Sequence, residues 1–514
     1  MLFDLTIIGF GVIGVETLHG LKKNFQKNKN KKILKIAVIE KKLDNIPGGV
    51  AYSKLNSKFG FFNNPLRLSH PDFIKWFNLF ENKKKILDFA TKNHSYNLSI
   101  WANNYEYILH TKYKDYKEIY LPRLIYSFFL KDKILDFLKH KNKLNILIKF
   151  YKGDVCKINF DNCYHIIPSG SFINFSIKNN NDKFEKKEND KKINFIKSNK
   201  IVIGIGVTPP KKINEITIQN NNNYIWDFYT SGGTNNLLNK IYKIKKIKNK
   251  INITFIGNKA GLLETMQEIE KLIKEKKIDI SITCISKNSL TLQKAERSIK
   301  FNSFKFKFLI KKNIKKIIYA NQIYKLLIKE FKVAKIEGFN KYDVWTNVLS
   351  NKILSTCYNQ LNNKEKENYN LHIFPLIRNI TRYTYPHTVS AKNRLEKLNK
   401  IKSLKDKVES IYKYKDKIIV KTKKNNLIKS DIVINVSGPV AISDINKEIK
   451  FVKSLKKITK KFTERGFTPN NKFILERGLY LPGTLSHNFN PGRETIIKAI
   501  TKNSHKVSKD ICEN

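Results

Sequence analysis

The segment Asp4-Leu5-Thr6-Ile7-Ile8-Gly9-Phe10-Gly11-Val12-Ile13-Gly14 decides the fold of this chain. Its first five residues form a short apolar run of the kind that makes a buried parallel strand. Helical spacing follows from Val15 to Phe25, and a second apolar run, Ile33 to Ile39, ends at Glu40. The order of strand, glycine turn, helix and strand predicts a βαβ unit that begins a Rossmann-like domain.

Each glycine of this Gly-x-Gly-x-x-Gly turn has a physical role. Gly9 permits the tight turn, Gly11 lets a pyrophosphate approach the backbone, and Gly14 lets the helix pack closely on the strand. The N-terminus of the helix presents N–H groups and partial positive charge to phosphates. Glu40, which lies 26 residues after Gly14, is placed to accept hydrogen bonds from ribose hydroxyls. These four residues predict a dinucleotide site, and the alternative is a glycine turn that holds no ligand.

A second βαβ pattern lies in the middle of the chain. Ile251 to Ile256 predicts a strand, Leu262 to Lys276 a helix, and Ile278 to Ile285 the next strand. Gly257 and Gly261 fall in the turn between the first strand and the helix. The pattern predicts a second Rossmann-like half.

The turn of this second pattern departs from the dinucleotide fingerprint. Lys259 stands where the second glycine belongs, and Gly261 falls one residue before the third position. The Cβ of Lys259 crowds an approaching phosphate, although the charge of the side chain offsets part of that cost. Lys287, just after the next strand, is placed to meet a ribose 2′-phosphate, which would favour NADPH over NADH. The alternative is a Rossmann-like half that binds no nucleotide.

Two stretches of the chain look like copies of one arrangement. Ser171 to Gly206 and Val408 to Gly438 each predict a β-meander that leads into a buried strand ending at glycine. We interpret the pair as the places where the chain leaves and re-enters the first domain, and the alternative is two unrelated hairpins. The very polar residues 178–192 predict a solvated loop.

The predicted fold class is therefore α/β, with two Rossmann-like dinucleotide-binding domains, the second inserted into the first, and β-meanders. The length of 514 residues suits two or three domains. We assign residues 1–215 and 430–514 to the first domain. Residues 220–425 form the inserted domain, which includes a helical segment.

The net charge of +56 has two explanations. Nine of the 99 basic residues are arginines and the rest are lysines, while Asn and Ile are also abundant. These three residue types share A/T-rich codons, so a biased genome accounts for the composition. Nucleic-acid binding is the alternative, but it requires a localised basic stripe with arginine or aromatic base readers. Because the lysines are spread over the whole chain, we expect no nucleic-acid partner.

Other features of the sequence narrow the class of protein. No run of about 18 apolar residues occurs, so we expect no membrane insertion. The five cysteines are scattered and form no Cys-x-x-Cys pair, which predicts neither a metal site nor a dithiol redox site. The start of the chain lacks the basic segment and cleavage site of a signal peptide, so we expect a cytoplasmic protein.

Several further segments resemble a known family. In chain order they are Gly48-Gly49-Val50-Ala51-Tyr52-Ser53, Asn63-Asn64-Pro65, His70 to Trp76, Leu121-Pro122-Arg123-Leu124-Ile125-Tyr126, Arg378 to Arg394, Gly483-Thr484-Leu485 and Gly492-Arg493-Glu494-Thr495. As an ordered set they resemble the bacterial FAD/NAD(P)-binding oxidoreductases of the YdhS-like group. That group is similar in fold to flavin monooxygenases and to lysine and ornithine N-hydroxylases.

The resemblance implies an FAD-dependent enzyme that uses NADPH or NADH and acts as a monooxygenase on a small molecule. The alternatives are a flavin oxidoreductase that transfers hydride without activating oxygen, and a non-catalytic or RNA-associated flavoprotein. The resemblance assigns no catalytic residue and no substrate, and it leaves the oligomeric state open. The predicted cofactor-binding residues are Gly9, Gly11, Gly14, Glu40, Gly49, Arg123, Gly206, Gly257, Gly261, Lys287, Gly438 and Gly483.

Scarce residue types supply further candidates. Arg378, Arg382 and Arg394 are the best substrate- or NADP-facing residues, because lysine is the default base in this chain. Arg123 is a candidate for contact with an FAD phosphate or an acidic substrate, with a structural ion pair as the alternative. Three histidines lie near the family segments and are either acid/base groups or, as is commoner, structural hydrogen-bonding residues: His70, His372 and His387.

Overall fold

The computed structural model describes residues 1–27, 33–53, 59–92, 96–180, 183–206, 209–210, 213, 222–287, 292–438, 450–463, 466–486 and 495–513. The chain divides into two compact units. The first unit comprises Met1–Lys54, Leu124–Thr208 and Val440–Asn514, and the second comprises Leu55–Arg123 and Pro209–Pro439. No helix in the described part of the chain is long and apolar enough to cross a bilayer.

The strands, in chain order, are β1 (Leu2–Ile8), β2 (Leu34–Glu40), β3 (Ile146–Lys152), β4 (Val155–Asp161), β5 (Cys163–Pro168), β6 (Phe172–Asn180), β7 (Lys183–Ile193), β8 (Ile196–Ile203), β9 (Tyr224–Ile225), β10 (Lys250–Ile256), β11 (Asp279–Ser286), β12 (Gln293–Lys294), β13 (Tyr383–Thr384), β14 (Ile401–Lys405), β15 (Val408–Tyr414), β16 (Lys417–Thr422), β17 (Leu427–Ser430), β18 (Ile432–Asn435), β19 (Phe462–Thr463), β20 (Gly466–Phe467), β21 (Ile474–Glu476) and β22 (Leu479–Tyr480).

The α-helices are α1 (Val12–Lys27), α2 (Gly49–Tyr52), α3 (Pro71–Phe77), α4 (Phe80–Lys92), α5 (Tyr96–Tyr105), α6 (Tyr113–Tyr116), α7 (Arg123–His140), α8 (Gly233–Lys245), α9 (Ala260–Lys274), α10 (Lys311–Ile314), α11 (Ala320–Ile336), α12 (Lys341–Ser350), α13 (Ile353–Gln360), α14 (Asn363–Asn368), α15 (Phe374–Ile380), α16 (Pro386–Lys397), α17 (Lys450–Ile458) and α18 (Ile496–Glu513). A π-helical turn, Tyr369–Ile373, leads directly into α15.

The first unit is built on a ten-stranded sheet. At its centre β8, β1, β2 and β3 run parallel, and Ile8 of β1 lies opposite Ile39 on one side and Ile203 on the other. β6 and β7 continue the sheet antiparallel beyond β3. Because β1, β2 and β8 run in the same direction, the turns that follow them all lie at one edge of the sheet.

The core of the first unit packs helix α17 against this sheet. Phe451, Val452 and Leu455 of α17 share one apolar cluster with Ile8 and Ile201 of the parallel strands. All five side chains are buried. The strands read as nearly continuous apolar runs because a parallel sheet is covered on both faces.

A buried charge group joins three helices of the first unit. Glu16 of α1 is fully buried, and the Nζ atom of Lys133 in α7 lies 2.8 Å from each of its carboxylate oxygens. His505 of α18 lies 3.3 Å from the same carboxylate. Burial alone would raise the pKa of Glu16, but the charges of Lys133 and His505 outweigh that effect and hold the pKa well below its ordinary value. The carboxylate is therefore ionised, and its neighbours compensate the charge.

The second unit holds a five-stranded, fully parallel sheet in the order β14, β11, β10, β18 and β9. Helix α9 contributes Leu262, Met266 and Ile269 to the core on this sheet. A separate three-stranded antiparallel sheet is formed by β15, β16 and β17. The turns after β10, β11 and β18 lie together at the carboxyl edge of the parallel sheet.

The predicted fold class is confirmed, since each unit is an α/β structure whose sheet has a parallel core. The strands predicted at 251–256 and 278–285 correspond to β10 and β11. Helix α1 begins at Val12, earlier than the predicted Val15, because the third glycine of the turn already lies inside the helix.

Two sequence interpretations differ from the structure. Residues 183–193 within the polar stretch form strand β7, where we expected a loop, because pairing with β6 satisfies the backbone although the sequence lacks an apolar alternation. The second meander was expected where the chain re-enters the first domain. Its last strand, β18, instead pairs with β10 inside the second unit.

The domain limits also differ from those predicted. The structure groups residues 55–123, which the sequence placed in the first domain, with the second unit. Side chains in that segment pack on the rest of the second unit. Phe61, for example, stacks on Tyr385 with ring centroids 4.0 Å apart. Residues 430–438 also belong to the second unit, because β18 is a central strand of its sheet.

We predict that replacing Lys133 by alanine destabilises the first unit by about 3–5 kcal/mol, because it leaves the buried Glu16 carboxylate without its closest positive charge. Urea unfolding followed by circular dichroism measures the change. The matched control is Lys509→Ala, which removes an exposed partner of Glu513 at 3.5 Å and should cost less than about 1 kcal/mol. Equal losses in the two variants would contradict the prediction.

Candidate functional site

Bare backbone from several segments meets at the carboxyl edge of the sheet in the first unit. Gly9 has a φ of +97°, and a Cβ added there would lie 2.8 Å from the backbone of Gly204, in the turn after β8. A Cβ added to Gly14 would lie 2.5 Å from the carbonyl oxygen of Gly9. Side chains are therefore excluded from this turn by neighbouring backbone, as the sequence predicts for a dinucleotide loop.

The carboxylate of Glu40 closes this loop. Its Oε2 atom accepts a hydrogen bond of 2.8 Å from the backbone N–H of Phe10, between the first two glycines. Oε1 accepts a hydrogen bond of 3.2 Å from the N–H of Lys42. Burial raises the pKa of Glu40 although these hydrogen bonds oppose the change. The N–H of Lys41 and the side chain of Asn45 also hydrogen-bond to this carboxylate, so a ribose hydroxyl would have to share or replace one of these four contacts.

Two further glycine segments border the same turn. Gly11 forms an isolated parallel bridge with Gly48, and a Cβ added to Gly11 would lie 3.2 Å from the Cα atom of Gly49. Gly483 packs against Ile13 in the first turn of α1. The predicted residues Gly9, Gly11, Gly14, Glu40, Gly49 and Gly483 are thus brought together in the first unit.

The hydroxyl of Thr484, beside this turn, is a polar group that has no partner among the described residues. Its Oγ1 atom is buried and makes no hydrogen bond to any described residue. Leaving a buried hydroxyl unsatisfied costs about 1–3 kcal/mol. A polar ligand in the turn would remove that cost. Residues 492–494 of the last family segment lie outside the described residues.

The turn after β8 contains the predicted Gly206 and also Gly204, for which the sequence predicted no role. An added Cβ at Gly206 would meet no atom within 4 Å, whereas one at Gly204 would lie 2.8 Å from the carbonyl oxygen of Gly9. Gly204 is therefore the glycine that close packing requires. The Gly-x-Gly spacing directly after β8 was the signal that sequence reasoning passed over.

Arg123 makes the structural ion pair that the sequence left as an alternative. Its guanidinium is hydrogen-bonded to Glu264 of α9, within the second unit. The guanidinium lies against Gly60, where any Cβ would overlap it. Contact between Arg123 and a cofactor stays a prediction, and it would have to compete with this pair.

The turn after β10 in the second unit is also closely packed. A Cβ added to Gly257, whose φ is +111°, would lie 2.7 Å from the carbonyl oxygen of Val436 in the turn after β18. A Cβ added to Gly261 would lie 2.7 Å from the Cγ1 atom of Val436. These two predicted glycines let helix α9 start directly against the neighbouring strand.

Charged residues surround this second turn. Lys259 is the residue before the first turn of α9, and it makes no side-chain capping hydrogen bond. A Cβ added to Gly438, whose φ is +97°, would lie 3.7 Å from the Nζ atom of Lys259. Lys287 is exposed at the end of β11, on the same edge of the sheet. Gly257, Gly261, Lys287 and Gly438 are therefore grouped at one edge of the second unit, to which Gly438 belongs.

A cavity of about 360 Å³ lies elsewhere in the second unit. The carboxylate of Glu118 contacts Arg67 at 2.6 Å and Arg297 at 3.0 Å, so its charge is compensated. Burial and two neighbouring cations lower the pKa of His387, which is therefore a neutral base at neutral pH. The lining residues are Glu118, Tyr120, Lys294, Ala295, Glu296, Arg297, Pro386, His387 and Ser390.

The other histidine candidates show no catalytic arrangement. His70 caps helix α3, and its Nδ1 atom accepts a hydrogen bond of 3.2 Å from the N–H of Asp72. This is the structural role that the sequence named as the commoner one. His372 lies exposed in the π-helical turn. No group of three potential metal ligands occurs in the described part of the chain.

Comparison with known proteins identifies the fold. No protein-family model and no curated protein sequence matches the chain. An ornithine N-hydroxylase from Kutzneria sp. 744, solved with reduced FAD, NADP+ and L-ornithine, matches with a TM-score of 0.52 at 10% identity over 99% of both chains.

Two further structures agree with this match. The FAD-bound cadaverine monooxygenase DfoA from Erwinia amylovora has a TM-score of 0.52 at 9% identity, covering 100% of this chain and 95% of its own. L-lysine 6-monooxygenase from Pseudomonas syringae has a TM-score of 0.51 at 8% identity over 99% of both chains. The chain therefore has the two-dinucleotide-domain flavoprotein fold of these monooxygenases, which is the fold that the sequence resemblance implied.

We predict that Gly204→Ala destabilises the first unit by about 1–3 kcal/mol, because its Cβ would overlap the backbone of Gly9. Gly206→Ala is the matched control, since its Cβ enters open space, and it should change stability by less than about 0.5 kcal/mol. Urea unfolding of the two variants measures the difference. If Gly204→Ala is as stable as the parent, the close contact is not a constraint.

Proposed function

We propose that this protein is an FAD-dependent, NADPH-using monooxygenase that hydroxylates the amino nitrogen of a small amine. The glycine-lined turn of the first unit, closed by Glu40, is the observation that carries the proposal. Three proteins with the same fold are monooxygenases of ornithine, cadaverine and lysine, which supports the reaction class and the class of substrate. The narrower YdhS-like assignment remains a prediction.

The residues of the first unit fit FAD. Gly9, Gly11 and Gly14 leave room for a pyrophosphate at the N-terminus of α1, where free N–H groups stabilise negative charge. Glu40 would accept hydrogen bonds from the ribose, and the unpartnered hydroxyl of Thr484 would donate to the cofactor. When bound, the flavin supplies the two-electron redox chemistry and the activation of oxygen that protein side chains lack.

The residues of the second unit fit the adenine half of NADPH. Gly257 and Gly261 allow the sharp turn into α9, so that the start of the helix is open to phosphate. Lys287, exposed at the carboxyl end of β11, is placed for the 2′-phosphate of the adenosine ribose. This position would distinguish NADPH from NADH.

The absorption spectrum of the purified protein is the first test. We expect the spectrum of oxidised FAD, which NADPH should bleach under anaerobic conditions. Under air, NADPH consumption should rise with a diamine or diamino acid, and L-ornithine, L-lysine and cadaverine should be assayed for hydroxylamine product. Flavin reduction without hydroxylamine from any amine would favour the hydride-transferring alternative. A colourless protein that stays colourless with added FAD would exclude both flavoenzyme assignments.

We predict that Gly11→Val yields protein without flavin, because a valine side chain would fill the space between Gly11 and Gly49. The FAD content per protein after gel filtration measures the effect. Gly170→Ala is the control, since it introduces a side chain at a glycine of the first unit where no atom lies within 4 Å of the added Cβ. The control should retain its flavin, whereas a Gly11→Val protein with stoichiometric FAD would contradict the site.

A further inference from the structure

Three cations gather at the start of helix α9 in the second unit. Lys259 precedes the helix, Arg378 lies in the last turn of α15, and Arg382 stands directly before β13. Burial of its ammonium group lowers the pKa of Lys259, and the charges of Arg382 and Arg378 lower it further, although the side chain still reaches solvent. The three charges therefore act on one another, and the stretch that carries the two arginines is tied to α9 by the hydrogen bonds from Arg394 to Glu270.

These cations have no acidic partner. Among the described residues, no carboxylate forms an ion pair with Lys259, Arg378 or Arg382. The Nε atom of Arg382 is buried and makes no hydrogen bond within the described chain. Like charges gathered without a counter-charge attract an anion, so the cluster is suited to binding one.

Arg394, in the same stretch of sequence, shows the opposite condition. Its Nε and Nη2 atoms donate hydrogen bonds of 2.7 Å each to the two carboxylate oxygens of Glu270. This bidentate pair uses the guanidinium fully. The sequence analysis treated these three arginines alike. The structure distinguishes them: Arg394 forms an ion pair, whereas Arg378 and Arg382 form none among the described residues and are open to a ligand.

The backbone that carries Arg382 is held by other contacts. Gln293 donates its N–H to the carbonyl oxygen of Arg382 at 2.8 Å, and Ala295 donates to that of Thr384 at 3.0 Å. The hydroxyl of Thr381 donates to the carbonyl oxygen of Ile377 at 2.8 Å. Arg382 is therefore presented by a paired strand, whose position does not depend on a ligand.

We propose that Lys259, Arg378 and Arg382 bind the pyrophosphate of the nicotinamide dinucleotide and replace the missing second glycine of the fingerprint. This inference rests on the proposed function. Lys259 lies in the turn after the first strand of the βαβ unit, where a pyrophosphate binds, whereas Lys287 follows the second strand, where the adenosine ribose binds. Without the second glycine, fewer backbone N–H groups can reach the pyrophosphate. Side-chain cations replace them, and two of these cations come from arginines more than 100 positions downstream.

The test measures ligand binding to the FAD-loaded protein by isothermal titration calorimetry at constant salt. The probes are NAD+, NADP+ and inorganic pyrophosphate. Arg382→Met and Arg378→Met should each weaken NAD+ and NADP+ by equal factors of about tenfold or more, the size expected for a charge-assisted hydrogen bond. Both variants should also weaken inorganic pyrophosphate, and thermal unfolding should be unchanged because neither arginine forms an ion pair.

Two controls define the specificity of the effect. Arg394→Met removes the same charge from the same stretch and should leave all three affinities within about twofold. Lys287→Met should weaken NADP+ and leave NAD+ unchanged. Loss confined to NADP+ in the Arg378 and Arg382 variants would overturn the proposal, because it would assign the cluster to the 2′-phosphate. Unchanged affinities in those variants would overturn it as well.

Failure of the proposed function gives a different result. If the parent protein binds neither dinucleotide but binds pyrophosphate in a manner that depends on Arg382, the use of NADPH is wrong and the cluster serves another pyrophosphate ligand. That outcome overturns the dinucleotide assignment alone. If the parent binds none of the three probes, the anion site itself is refuted.

Discussion

The close approach of bare backbones at the end of β1 is the constraint on which the first unit depends. Gly9 contacts the turn after β8, α1 begins against the carbonyl oxygen of Gly9, and the carboxylate of Glu40 accepts the N–H of Phe10 from the end of β2. Three parallel strands therefore converge on one turn that has no room for side chains. A phosphate-bearing ligand is suited to such a place, because it needs backbone N–H groups and little space.

The sequence predicted the parts of the molecule that depend on local periodicity. Strands β10 and β11 and helix α9 were predicted because apolar runs and turn glycines are properties of a few neighbouring residues. The partner of Arg123 was not predictable, since Glu264 lies 141 residues away and only the fold brings the two together. Strand β7 was missed for a similar reason. Its own residues show no apolar alternation, and it is a strand because it pairs with β6. The sequence did not single out Gly204, because it lies two residues from Gly206 and only the packing shows that Gly204 is the crowded one.

The placement of charge separates structural from ligand-binding residues. Glu16, which is buried, and Arg394 and Glu118, which reach solvent, are each compensated by an opposite charge within 3.0 Å. Lys259, Arg378 and Arg382 lack such compensation among the described residues, at the turn where the glycine fingerprint is incomplete. The second glycine of the fingerprint is missing at the same turn where the uncompensated cations lie. A pyrophosphate bound by these cations would account for both features. Neither observation would have been informative alone, because the chain is rich in lysine and degraded turns are common.

Strand β7 has a consequence for how the protein behaves at high concentration. It is the last strand of the ten-stranded sheet, so one side of its backbone has no neighbouring strand in the described structure. An open edge of this kind is a template for pairing with other chains. The segment Lys183–Ile193 carries five lysines, two glutamates and one aspartate in 11 residues. Lysine and other charged residues on an edge strand disfavour such pairing, so we expect this edge to resist association with other chains at high protein concentration.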